Sequence, residues 1–557
     1  MKLLQRKGFF IGSACLASFV LGGFVVQKAG EEKLTTAVIQ QAEKLIGIDF
    51  TDSEADSMLS SLEDQRKDYA ELRKLNIANS VSPALVFNPV PPGYEFPDKT
   101  SGFSVKEARG VRLPEHRDEL AYYSIGELAA LLKSRQITSV ELTRFFLDRL
   151  KRNEGSLHHV ITYTEELALK QAAQADAEIR AGKYRGLLHG IPYGAKDLLV
   201  VDGYRTTFGA APYRDQVLSG TATVVERLTA AGAVLIAKTS LGALAMGDVW
   251  FGGKTRNPWN VKRGSSGSSA GSASAVAAGC MPFAIGSETL GSIVSPSTEC
   301  GTTGLRPTFG RVSKAGAMAL SWSMDKIGPI ARNVEDLAIV FSAIHGEDGK
   351  DLSVVPAPFN YRSPAGSLKG YRIGYVKKDF ERRYSNRAND SLTLAKLREL
   401  GAELVPLELP KMPYGAMTLA LSAEAAAAFD ELTLTNRDDQ LVRQDKNSWP
   451  NYFRAARFIP AVEYLQANRA RSLLISEMAA RLKGLDLYVA PSFTASLTAT
   501  NLSGHPCVVL PNGVNREGLP TSITFLGQLF GEGRLLQAAQ VYQSATGFHK
   551  KHPSLNF

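Results

Sequence analysis

Three short segments carry side chains suited to covalent chemistry. They are Gly190-Ile191-Pro192-Tyr193-Gly194-Ala195-Lys196-Asp197, the serine run Ser265 to Ser269, and the pair Gly291-Ser292. Lys196 follows a small apolar turn and precedes Leu198-Leu199-Val200, so it is expected to be partly desolvated. Desolvation disfavours the ammonium and leaves a neutral amine that can act as a base near neutral pH. A lysine with a buried stem and a solvated head at a strand end would carry the same local sequence. Serine is a weak nucleophile until a base is placed beside it. None of the eight histidines (His116, His158, His159, His189, His345, His505, His549 and His552) has the setting of such a base, and lysine is the alternative base for a serine nucleophile. The glycine before Ser292 allows close backbone approach, with N–H groups aimed at a developing oxyanion.

These serines lie in one continuous stretch, Gly264 to Thr308, that reads at first like a Gly/Ser linker. Its neighbours argue otherwise. Ala273 to Ile285 is small, apolar and uncharged, and Glu288 and Glu299 are the only charged residues between Gly264 and Leu305. A segment that cannot solvate itself must be buried, and its hydroxyls then need partners. Gly267-Ser268-Ser269-Ala270-Gly271 also fits the G-x-S-x-G pattern of a nucleophile elbow, which requires a hydrophobic strand just before it. Asn257 to Arg263, with Pro258 inside it, is not a central strand.

The elements that must hold these residues follow from periodicity and punctuation. Leu34 to Ile48 and Asp52 to Leu75 have helical spacing. Pro83, Pro89, Pro91, Pro92 and Pro97 then impose an extended stretch that wraps over the body. Ser124 to Lys151 reads as helix, with Ser124 and Glu127 as a capping box; Glu165 to Ala181 is a further helix. From Gly186 to about Gly346 short apolar strands alternate with glycine turns and helices, including a helix at Val224 to Ala231 and a buried strand at Ala233 to Ala237. That alternation is the signature of an α/β core. Gly349 to Leu368 reads as loop. Strands follow at Tyr371 to Val376, Glu403 to Leu407 and Leu485 to Ala490, with helices at Asn389 to Leu400, Ala423 to Ala428 and Tyr464 to Lys483.

The order of these motifs resembles the amidase signature family: a Gly/Ser run, a small apolar helix, then a Gly-Ser turn. The resemblance extends from about Ser124 to the C-terminus. It takes in Gly190-Ile191-Pro192 with Lys196-Asp197, Gly304-Leu305-Arg306-Pro307-Thr308, Ser323-x-Asp325 with Gly328-Pro329, Gly504-His505-Pro506 and Gly518-Leu519-Pro520. It implies an α/β fold, a large mixed, twisted β-sheet covered by helices on both faces, with an N-terminal helical extension. It implies that Ser292 is the nucleophile and that Ser268, after a cis peptide bond from Gly267, bridges it to the base Lys196. The backbone N–H groups of Thr289, Leu290, Gly291 and Ser292 would form the oxyanion hole. The apolar run Ala273 to Gly279 sets this register and places Ser268 24 positions before Ser292. The implied reaction is hydrolysis of a carboxylic amide, non-peptide or C-terminal peptide amide, through a seryl acyl-enzyme without metal or organic cofactor. The alternatives are a silent binding protein on the same scaffold and a glutaminase-type amidotransferase subunit. Three positions depart from the pattern: Leu290 replaces a usual glycine, Val294 a usual arginine and Ser240 a usual asparagine. By the same resemblance Trp449 to Arg471 and the loop after Pro491 would wall the pocket. Arg454 and Arg457 could read a carboxylate there, or serve in ordinary ion pairs.

Composition is that of a globular protein: 557 residues, 44% apolar, 21% charged, 49 glycines and net charge +9. The positive charge is scattered with no basic block interleaved with aromatics, so nucleic acid is not the expected partner; the resemblance implies a small-molecule amide instead. Self-association as a homodimer is compatible with this reading. Cys15, Cys280, Cys300 and Cys507 form neither a disulfide framework nor a zinc motif. Lys2, Arg6 and Lys7 precede a charge-free run of 19 residues, Gly8 to Val26. This predicts export to the periplasm or the extracellular side, as a cleaved signal or as an uncleaved membrane anchor. The expected organisation is therefore a signal or anchor over 1–30, a helical and extended wrap over 31–120, and the catalytic domain over 121–557.

Overall fold

The computed structural model of the protein describes residues 33–75 and 77–555. The expected signal or anchor at 1–30 lies outside the described residues. The chain divides into two compact units, Met1–Asn76 and Ile77–Phe557.

The described part of the first unit is a pair of helices. α1 (Thr36–Ile46) is capped by the Thr35 side chain, which accepts from the Val38 N–H, and ends on Gly47 in the left-handed region. α2 (Asp52–Arg73) starts with a complete capping box between Thr51 and Glu54.

The second unit is built on one mixed sheet of eleven strands. In chain order these are β1 (Val160–Tyr163), β2 (Pro192–Lys196), β3 (Val234–Thr239), β4 (Phe283–Glu288), β5 (Thr303–Arg306), β6 (Lys326–Ala331), β7 (Arg372–Val376), β8 (Glu403–Leu407), β9 (Leu487–Pro491), β10 (Cys507–Val514) and β11 (Pro520–Gly527). Their spatial order is β8-β7-β9-β11-β10-β5-β6-β4-β2-β3-β1. β2 runs parallel to both β3 and β4, and β7 runs parallel to β8 and β9. The other neighbours are antiparallel. Every residue of β2, β3 and β6 is buried. Strands buried on both faces read as unbroken apolar runs, and helices cover the sheet on both sides.

The helix expected over Ser124 to Lys151 is two helices. α3 (Ile125–Lys133) has the Ser124–Glu127 capping box, and α4 (Ser139–Leu157) opens with a second one, Thr138–Glu141. Arg135, at φ +58°, turns the chain between them. The loop at Gly349 to Leu368 contains a short strand, Asn360–Arg362, that pairs in parallel with Gly102–Ser104 of the wrapping segment. The residues before Gly267 form a small antiparallel ribbon, Arg256–Asn257 with Asn260–Gly264, outside the large sheet. The strand that a nucleophile elbow needs is therefore not there.

The parallel trio β3-β2-β4 positions the site. β2 ends at Lys196 and β4 ends at Glu288, so both chains deliver their chemistry at the carboxyl ends of parallel strands, where crevices form in α/β sheets. Two small-residue helices follow: α5 (Ala270–Ala277), entirely buried, and α6 (Val294–Cys300). Further along, α8 (Ala461–Leu482) packs against both α7 (Leu419–Ala428) and α9 (Ala495–Ser503), and α9 reaches the end of β4 through Asn501, which donates to Glu288.

Candidate active site

Lys196 is fully buried, and its Nζ lies among three hydroxyls: Ser268 Oγ at 2.8 Å, Ser287 Oγ at 2.9 Å and Ser269 Oγ at 3.2 Å. Burial pulls its pKa down to about 7, against the opposing pull of Asp325 and Glu288. The neighbouring carboxylate of Asp197 does not reverse this, because Lys238 Nζ sits 2.7 Å from it and Thr207 hydrogen-bonds its other oxygen. A neutral amine offers two N–H donors and one lone pair. Ser269 Oγ already spends its own proton on the Ser287 carbonyl at 3.1 Å, so it accepts from Lys196. With another N–H directed to Ser287, the lone pair is left for the Ser268 hydroxyl.

The serine run enters this site through a sharp turn. The Gly267–Ser268 peptide bond is cis. A Cβ on Gly267 would lie 1.8 Å from the Gly247 carbonyl oxygen, so only glycine fits there. Ser268 is buried, and the next N–H, that of Ser269, donates to the Ser292 carbonyl at 3.1 Å. That bond ties the two serine segments together at the start of α5. The remaining serines are held elsewhere: Ser266 Oγ pairs with Ser295 Oγ at 2.7 Å and Ser265 Oγ donates to the Ser266 carbonyl.

Ser292 is half-buried and, among the described residues, its hydroxyl has no hydrogen-bond partner. It sits in the turn between β4 and α6, where Gly291 has φ +88°. Among the described residues none of the N–H groups of Thr289, Leu290, Gly291 and Ser292 donates to a protein acceptor. Unused backbone donors converging on a turn can serve an anion.

Sequence reasoning assigned no role to the residues that hold this turn. The Glu288 carboxylate is fully buried and accepts four hydrogen bonds. Arg306 and Asn501 donate to one oxygen at 2.7 and 2.8 Å, and the N–H groups of Ile293 and Val294 donate to the other at 2.8 and 3.0 Å. Burial alone would raise its pKa, but Arg306 and these donors hold it at about 2. By engaging residues 293 and 294, Glu288 starts α6 one step beyond the free N–H groups. Thr289 Oγ1 donates to Asp325 at 2.6 Å, and Asp325 accepts from the N–H groups of Leu320 and Ser321. Glu424 of α7 grips Ser321 and Ser323 on the same loop. One signal was present in the sequence: a carboxylate in a long uncharged run has to be paired.

A cavity of about 180 Å³ opens beside this turn, with Ser287, Thr289 and Asp325 among its lining. None of its lining comes from Trp449 to Arg471. Arg454 is ion-paired with Asp438 and Asp439, and Arg457 with Asp430, so neither presents a free cation. Val294 is fully buried in an apolar cluster with Met324, Tyr488 and Leu502. Ser240 shares a hydrogen bond with Thr255 at 2.7 Å and donates to the His158 carbonyl.

A sequence model of the family described as Amidase matches residues 141–494. A glutamyl-tRNA(Gln) amidotransferase subunit of Thermosynechococcus vestitus is 34% identical over 482 residues, spanning 77% of this chain and 99% of that protein. The solved structure of native peptide amidase from Stenotrophomonas maltophilia is 30% identical with a TM-score of 0.69, covering 78% of this chain and 99% of that one. An amidase family protein from Bacillus anthracis str. Ames is 26% identical with a TM-score of 0.71, covering 79% and 93%.

Proposed function

The chain belongs to the amidase signature family and is a hydrolase acting on amide C–N bonds; from that premise we propose that it cleaves a neutral carboxylic amide, a small-molecule amide or a C-terminal peptide amide, through an acyl-enzyme on Ser292. Lys196 is the base and Ser268 relays the proton. The observation that carries this reading is the buried Lys196 Nζ, 2.8 Å from Ser268 Oγ and free of any carboxylate hydrogen bond among the described residues. In the first half-reaction Ser292 Oγ bonds to the carbonyl carbon. Its proton moves to Ser268 Oγ while the Ser268 proton moves to Lys196 Nζ. The N–H groups of Thr289, Leu290 and Gly291 hold the oxyanion. The proton then returns through Ser268 to the amide nitrogen, the C–N bond breaks and the amine or ammonia leaves. Water, deprotonated by the same relay, attacks the ester and releases the acid and Ser292.

The preference for a neutral amide rests on the pairing of the cations at the cavity: Lys314 lies 3.0 Å from Asp351 and Lys350 lies 2.9 Å from Glu226. The similarity to an amidotransferase component favours a second reading, glutamine as substrate. A panel of primary alkyl amides, aryl amides, peptide amides and glutamine separates the two. Turnover of neutral amides well above glutamine is expected, lost in Ser292→Ala; preferential release of ammonia from glutamine would select the second reading. The basic Lys2, Arg6 and Lys7 before Gly8 to Val26 support export or anchoring, which sequencing of the mature N-terminus tests.

A further inference from the structure

One wall of the cavity beside Thr289 comes from the wrapping segment, well upstream of residue 141. Asn79, Ser80 and Ser82 line it. Asn79 holds the opposite strand of backbone as a β-bridge would. Its Nδ2 donates to the Ala319 carbonyl at 2.8 Å and the Ala428 carbonyl at 3.2 Å, and its Oδ1 accepts from the Ala319 N–H at 2.8 Å. Ala319 belongs to the run Ala317–Leu320 that forms the facing wall and leads directly into the N–H groups of Leu320 and Ser321 that hold Asp325.

Downstream, the segment is fixed from Phe87 to Asp98. The Phe87 ring packs edge-on against Phe309 at 5.0 Å, with Arg471 stacked 3.9 Å above it. Tyr94 donates to the Leu529 carbonyl at 2.7 Å, Phe96 meets Phe530 at 5.2 Å, and Asp98 accepts from the Asn360 N–H at 3.0 Å. Asn79 itself is held by its own three hydrogen bonds to Ala319 and Ala428. The cavity has an apolar part, Leu198, Ala245, Met318, Trp322 and Ile327, and a charged or polar part that includes Asp325, Lys314 and Asp351 besides the strap.

We propose that Asn79 is a specificity-determining positioning residue: by pinning Ala319 it shapes the cavity to accept an amide bearing a bulky apolar group, of phenyl or branched-alkyl size. This rests on the reading of the site as an amide hydrolase. The proton relay is untouched by it; the strap decides which amides reach that relay.

The test compares propionamide with 4-phenylbutyramide in the full-length wild type, Asn79→Ala and Ser80→Trp, with KM and kcat read separately. Asn79→Ala is expected to raise KM for 4-phenylbutyramide about tenfold more than for propionamide, the order given by freeing a wall held by two or three hydrogen bonds. Ser80→Trp narrows the cavity while leaving the Asn79 clamp in place, and raises the same KM with the melting temperature unchanged. It decides the matter if Asn79→Ala does not fold. Equal shifts for both amides, or no shift in either variant, would overturn the proposal. If the wild type hydrolyses neither amide, the neutral-amide reading of the site fails separately. Calorimetric binding of 4-phenylbutyramide to the wild type and both variants then decides the strap's role: weaker binding in the variants supports it, and unchanged or undetectable binding to all three refutes it.

Discussion

At the residue scale, the behaviour of the site turns on the protonation of one amine. Lys196 is buried away from counter-charges at hydrogen-bond distance, which brings its pKa to about 7. Catalysis needs the neutral form, so kcat/KM should rise with pH through a limb near 7 and fall as the ammonium forms below it. In Lys196→Ala that limb should disappear, with activity down by about 10²–10⁴-fold, the span typical of a lost general base. Ser268 and Ser269 should separate in the same assay. Ser268→Ala removes the relay, whereas Ser269→Ala removes an acceptor whose proton is committed to the Ser287 carbonyl, so Ser268→Ala should lose far more. Lys196 was singled out in the sequence by the small apolar turn before it and Leu198-Leu199-Val200 after it, and Ser268 through the family resemblance alone; the structure sets the two 2.8 Å apart. Asn79 was not legible there, since nothing in an exposed, proline-rich stretch foretells a clamp on a carbonyl 240 residues away.

At the element scale, the turn between β4 and α6 is held by buried charge. Glu288 pairs with Arg306 at 2.7 Å with neither exposed. Removing one partner of such a pair leaves an uncompensated charge and costs about 3–5 kcal/mol. Glu288→Gln should therefore lower the denaturation midpoint, and it should lower kcat more than it raises KM, because the N–H groups of Leu290 and Gly291 lose their fixed aim. A wild-type midpoint and kcat would contradict the role given to Glu288. The sequence foretold several elements of the sheet well: β8 was expected at its observed bounds, and β3 and β9 within two residues at either end. Local apolar runs bounded by glycine and proline are sufficient for that. It mistook α3 and α4 for one helix, because their apolar faces continue across the break. Yet the second capping box, Thr138 and Glu141, was there to be read. The parallel pair Gly102–Ser104 with Asn360–Arg362 was beyond reach: three-residue strands carry too little periodicity, and their partner is set by tertiary packing.

At the scale of the whole molecule, the wrapping segment is part of the catalytic unit and not a tether to it. Its contacts with Phe309, Leu529, Phe530 and Asn360 tie the stretch from Phe87 to Asp98 to the segments that follow β5 and β11 and to the short strand Asn360–Arg362. A double-mutant cycle on Phe87→Ala and Phe309→Ala should give a coupling of about 1 kcal/mol, as for edge-to-face aromatic pairs; additive effects would show the strap to be loosely laid. The Gly264 to Thr308 stretch takes its meaning at this scale as well. Its serines sort into roles because β2, β4 and α5 bring Lys196 to Ser268 and bind the Ser269 N–H to Ser292.

The central claim is that Ser292 carries the acyl group. Intact-protein mass spectrometry of enzyme acid-quenched during turnover of a slowly deacylated amide or activated ester tests it directly. The account predicts a mass gain equal to the acyl group, localised after digestion to the peptide containing Ser292 and absent in Ser292→Ala. An adduct on Ser268 or another serine, or undiminished turnover in Ser292→Ala, would contradict it.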